Sequence, residues 1–169
     1  MNLFKSTLIA TALVAAGFAG TANAATPVST TFQAKIVITE ACSFSTAATD
    51  VDFQTKARGS AGDVDATGTL VVTCTNGTPY TIALSAGSQA GATVTTRKMS
   101  NGTNSLPYGL FRDTNRTQNW GNTIGTDTVA GTGNGNPQNV PVFGRVLSAG
   151  TTLVPAGTYV DTIQATNNN

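Results

Sequence analysis

The chain has 169 residues, only 10% of them charged, with nine Lys and Arg against eight Asp and Glu and no histidine. That balance gives no electrostatic reason to expect nucleic acid or anionic lipid as a partner. The missing imidazole also removes Ser-His-Asp and Cys-His catalysis and most zinc and copper sites. Ordinary soluble domains carry about 25% charged residues. Here Thr, Ala, Gly and Asn take that space, a composition for strands and turns rather than long helices.

Residues 1–24 read as a secretory signal, with Lys5 in the positive region, Leu8 to Ala19 as the apolar run and Ala22-Asn23-Ala24 as the cleavage motif. The run is shorter than the roughly 18 apolar residues of a membrane anchor, and no later segment is apolar enough to span. Cleavage before Ala25 takes Lys5 away and leaves eight charges of each sign. The remainder has the size of one domain, and we divide it into an N-terminal arm over 25–39 and a domain over 40–169.

The arm holds the most telling pattern. Within Thr30 to Thr39, Phe32, Ala34, Ile36 and Ile38 stand at every second position. An extended strand puts those four side chains on one face, with Gln33, Lys35 and Thr39 on the other beside the apolar Val37. A free, apolar, strand-forming arm must be buried, either on its own domain or in the sheet of a neighbour. Cys42 comes next, and with Cys74 it makes two cysteines in an exported chain. An oxidising compartment pairs them, and no histidine is present to serve a catalytic thiol.

Further along, Val51-Asp52-Phe53 reads as a short strand. Val64, Ala66, Gly68, Leu70, Val72 and Cys74 then hold one face of the clearest alternation in the chain. Cys74 faces inward there, which predicts a disulfide in the core between layers. Asn76-Gly77 predicts a tight hairpin turn back into a strand over Tyr80 to Leu84. A strand over Val94 to Met99 ends at Asn101-Gly102, and another runs from Leu106 to Phe111. Gly121 to Asn139 reads as a long, exposed polar loop. Val140 to Val146 and Thr158 to Thr166 complete about seven strands, the pattern of an antiparallel β-sandwich.

Chemistry-bearing clusters are few. Asp63 and Asp65 share a strand face and with a third oxygen would suit calcium, although such a pair is more often a solvated surface. The triplets beginning at Asn76, Asn101 and Asn115 match the glycosylation acceptor pattern, yet Asn and Thr are common enough here to produce it by chance. Arg97-Lys98 and Arg112/Arg116 are too few for a phosphate site. We read no enzyme, no cofactor and no metal.

The series Phe32-x-Ala-x-Ile-x-Ile before Cys42, Thr69 to Tyr80, Leu106-Pro-Tyr-Gly-Leu-Phe-Arg-Asp, Val142-Phe-Gly-Arg-Val and Pro155-Ala-Gly-Thr-Tyr-Val-Asp-Thr resembles the spore coat protein U domain. That family includes the major subunits of archaic chaperone–usher pili. The resemblance covers nearly the whole chain after the leader. It implies an incomplete immunoglobulin-like antiparallel β-sandwich that lacks one strand, with an N-terminal donor strand. By position, Phe32, Ala34, Ile36 and Ile38 match the donor residues. A periplasmic chaperone, an outer-membrane usher and neighbouring pilus subunits are the implied partners. Export to the periplasm and then to the cell surface is the implied route, with adhesion and biofilm formation as the implied role. One departure is the end: family members finish on an alternating strand with a terminal aromatic residue, whereas here Thr166 leads into Asn167-Asn168-Asn169. The alternative is a self-contained secreted coat or surface protein whose arm packs on its own domain.

Overall fold

The computed structural model describes residues 25–44 and 48–169. The expected leader at 1–24 lies outside the described residues. Contacts divide the chain into a unit ending at Val37 and a compact unit over Ile38–Asn169. Residues 25–41 have no regular secondary structure, so the strand expected over Thr30 to Thr39 forms no ladder. Its large apolar side chains are exposed, Phe32 to 90%, Ile36 to 81% and Ile38 to 85%.

The compact unit is a sandwich of two antiparallel sheets. β1 (Cys42–Phe44), β2 (Val64–Cys74), β7 (Gln138–Val146), β5 (Ser105–Phe111) and β4 (Arg97–Ser100) form the first sheet in that order. β6 (Val129–Thr132), β3 (Pro79–Leu84) and β8 (Ala165–Asn168) form the second. The alternation read in β2 and β7 governs their pairing, with Leu70 opposite Val140 and Gly68 opposite Val142. In β2 the same parity buries Leu70, Val72 and Cys74. Between the sheets lie Val72, Ile82 and Trp120, each fully enclosed. Burial of such side chains is worth about 1.5–3 kcal/mol apiece.

Further readings of the sequence need correction. Asn76-Gly77 does turn the chain, with Gly77 at φ +85°, but β2 and β3 belong to different sheets and make no hairpin. Both edges of β2 are already taken by β1 and β7, so the chain must cross to the other layer. Second, the segment read as a polar loop contains β6, held to β3 in the register Tyr80 to Gly131. A side chain at Gly131 would collide with the Tyr80 ring, so glycine there is a packing requirement rather than a loop signal. Third, Ser148–Leu153 forms a short helix, α1, that the sequence did not announce. Last, the final ladder is shorter than expected at its start and longer at its end, since Asn167 and Asn168 pair with Ile82 and Thr81.

The disulfide joins Cys42 to Cys74, which oppose each other directly in the β1–β2 ladder. It therefore ties an edge strand to its own sheet, with Cys74 buried in the core as expected and Cys42 packed against that core. Replacing both cysteines by Ala should cost about 2–5 kcal/mol. The unreduced wild-type protein should show no titratable thiol when denatured, and one that does would contradict the pairing.

Candidate strand-binding groove

β8 is the end strand of its sheet and pairs with β3 alone among the described residues. The chain leading into it, 158–164, is extended but poorly paired. Val160 exchanges two backbone bonds with Ser100 of β4 at 2.8 and 3.0 Å, and Gln164 accepts from the Ser85 amide at 2.9 Å. Along this run Tyr159, Asp161, Ile163 and Ala165 are half-buried while Thr158, Val160, Thr162 and Gln164 are exposed. The inward set therefore keeps a strand's period of two although no full strand forms.

Across from it runs the segment after residue 48. Thr49 bridges to Thr69 of β2, and Val51 and Phe53 turn down onto the first sheet. They land on two glycines: a Cβ at Gly68 would come within 2.9 Å of Val51 Cγ2, and one at Gly144 within 2.8 Å of Phe53 Cζ. The short strand expected at Val51 to Phe53 is thus an extended wall joined by a single bridge. Beyond it Gln54 adopts φ +57°, its amide donating to Asp52 Oδ1 at 2.7 Å.

Between these two walls lies a cavity of about 1070 Å³. Its floor includes Leu106, Tyr108 and Leu110 of β5 with Val142 and Val146 of β7. This space lies beside β8, the end strand of the second sheet.

One polar device sits in this apolar setting. Tyr108 Oη donates to Asp161 Oδ2 at 2.7 Å, and Asp161 Oδ1 accepts from the Ser88 amide and hydroxyl, each at 2.8 Å. The phenol of a floor residue thereby holds one wall in place. Burial first, and then the bond to Asp161, pushes the Tyr108 phenol far above its ordinary value. A group whose pKa is raised on folding contributes stability that is complete below its unfolded value, about 10, and is lost as pH rises above that. Alkaline difference spectra should therefore show one tyrosine that ionises only on unfolding, and Tyr108→Phe should remove that component. A Tyr108→Phe spectrum identical to the wild type would contradict this.

Behind the groove, Arg97 is wholly enclosed. Its guanidinium donates to the carbonyls of Ser85 (2.9 Å), Val94 (2.6 Å), Leu84 (3.3 Å) and Trp120 (2.8 Å). The sequence singled out Arg97-Lys98 only as too few cations for a phosphate site, and no local pattern marks a buried arginine. Asp65 likewise has another use than calcium. Arg145 grips it with two bonds at 2.7 and 2.8 Å, Arg116 lies 3.2 Å away, and the Arg145 bond is the first cause holding the Asp65 carboxyl below its usual range. Asp63 accepts from the Ser148 amide at the start of α1. Among the described residues no cluster of three or more His, Cys, Asp or Glu could hold a metal, and no helix is long and apolar enough to cross a membrane.

Two antiparallel sheets with one strand's place open define an incomplete immunoglobulin-like sandwich. The chain belongs to the Spore Coat Protein U domain family, whose family model matches residues 28–166. Protein U of Myxococcus xanthus is 41% identical over 110 residues, covering 62% of this chain and 60% of that protein. The chain thus spans about 60% of that relative's length. A chain in the crystal structure of the CsuC–CsuE chaperone–tip adhesion subunit pre-assembly complex, from the archaic chaperone–usher Csu pili of Acinetobacter baumannii, superposes with a TM-score of 0.55. It shares 20% identity and the match covers 78% of this chain and 40% of that one, a likeness of fold.

Proposed function

We propose that the protein is a structural subunit of a secreted surface fibre of the chaperone–usher type, and that one copy's arm completes the sandwich of the next. The observation that carries this reading is the apolar groove beside β8, in a chain whose own arm presents Phe32, Ile36 and Ile38 to solvent. An arm of ten extended residues reaches about 33 Å. Burying Phe32, Ile36 and Ile38, and Ala34 for less, is worth on the order of 5–9 kcal/mol gross per joint. New backbone bonds along the free edge add to this.

Until a neighbour's arm arrives, the groove exposes a core. A periplasmic chaperone would fill it in the meantime and an outer-membrane usher would receive the complex, in keeping with the complex named for the structural relative. Surface adhesion and biofilm formation are the roles such a fibre would serve. The test is periplasmic production of the chain with and without a chaperone of the archaic chaperone–usher type. The proposal expects a soluble one-to-one complex with the chaperone, and aggregation or degradation without it. A stable soluble monomer in the absence of any chaperone would instead favour a self-contained coat or surface protein.

A further inference from the structure

An apolar face of period two does not by itself fix where the arm stops. A slip of one residue turns the wrong face inward, but slips of two or four keep apolar side chains in the groove. The charges close that gap. Asp50 and Asp52 are exposed and alternate with the inward Val51 and Phe53, so they stand along the groove's outer rim. Beyond the turn at Gln54 the sign changes to Lys56 and Arg58, both exposed, the first donating to Ala61 O and the second to Thr152 O. The opposite rim, with Thr158, Val160, Thr162, Gln164 and Thr166 outward, carries no charge, and Asp161 is turned in to Tyr108.

Between residues 25 and 39 the arm has a single charge, Lys35. It lies on the face opposite Phe32, Ala34, Ile36 and Ile38, at the midpoint of that apolar run. We infer that Lys35 of a second copy docks against Asp50 and Asp52 and so sets the register of the arm in the groove. This rests on the strand-binding reading of the groove. In the paired register, Lys35 faces two carboxylates and the apolar run is centred on Val51. Slipping towards the turn carries the ammonium to Lys56 and Arg58, where like charges oppose it. The groove's shape supplies affinity, and the rim supplies discrimination and a faster encounter.

The test uses a fluorescent peptide of residues 25–41 and the mature chain freshly refolded at low concentration, its folding checked by Trp120 fluorescence, with anisotropy measured at low salt and at about 0.5 M salt, where exposed charges are screened. Lys35→Glu in the peptide should weaken binding to the wild-type chain about five- to tenfold at low salt. The gap should close at high salt. Asp50→Lys/Asp52→Lys in the chain should restore the altered peptide and penalise the wild-type one, a reciprocal exchange that loss of folding cannot mimic. Equal binding of both peptides at low salt would overturn the charge register while leaving the groove reading intact. Binding of neither peptide would overturn the groove reading and the register together.

Discussion

Trp120→Ala should destabilise the subunit by about 3–5 kcal/mol, the range for removing a large buried aromatic, and this is a large part of the stability of a domain of this size. Trp120 is fully enclosed and is tied at three points. Its amide donates to Leu110 O at 2.9 Å, its indole Nε1 donates to Ile82 O at 2.9 Å, and its carbonyl accepts from Arg97 at 2.8 Å. The ring thus fills space between β5 in one sheet and β3 in the other, directly behind the groove floor. Trp120→Phe keeps much of the volume and loses only the Nε1 bond, so about 1–2 kcal/mol is expected there. Denaturant titration of the chaperone-free, refolded subunit measures both. A Trp120→Ala midpoint unchanged from wild type would show that the two layers do not depend on this side chain.

The long strands were legible because their alternation is strict and one face is buried: β2 and β7 carry Leu70, Val72, Val140 and Val142 inward, as their sequence period requires. β6 was illegible for the converse reason. Its inward positions are Val129 and Gly131, the second making room for Tyr80, and a glycine in a Thr- and Asn-rich stretch reads as a turn. The crossing after Asn76-Gly77 could not be told from a hairpin, because local residues set the turn while the occupied edges of β2 send the chain to the other layer. The arm's apolar alternation was readable as a pattern of four residues. The groove was not, since its walls lie about a hundred residues apart, at Val51/Phe53 and at Tyr159/Ile163, and a gap between elements leaves no period of its own. The bond from Tyr108 to Asp161 spans 53 residues and links two of the motifs that carried the family resemblance without showing why each was there.

Ile36→Asp should abolish fibres while leaving the subunit's own fold intact. Ile36 is at the heart of the apolar run and is 81% exposed, so its replacement removes nothing from the core around Trp120. Placed in a neighbour's groove, the carboxylate would meet Leu110, Val142 and their neighbours instead of water. Lost apolar burial of about 1.5–3 kcal/mol and an uncompensated polar group of several kcal/mol more would together offset most of what the arm gains. Val37→Asp, one residue on and facing outward, keeps the buried face and should still polymerise. The contrast between adjacent positions therefore tests the strand register as well as the role.

Whether the arm acts on another copy is read in cells producing the Ile36→Asp chain together with the proposed chaperone and usher. Chaperone-bound subunit is quantified in the periplasm and fibres are counted on the surface by electron microscopy. The account predicts wild-type amounts of the chaperone complex and no fibres, whereas cells producing the Val37→Asp chain still carry them. If Ile36→Asp instead loses the chaperone complex or unfolds the isolated subunit, the arm belongs to its own domain and the strand-exchange account is wrong.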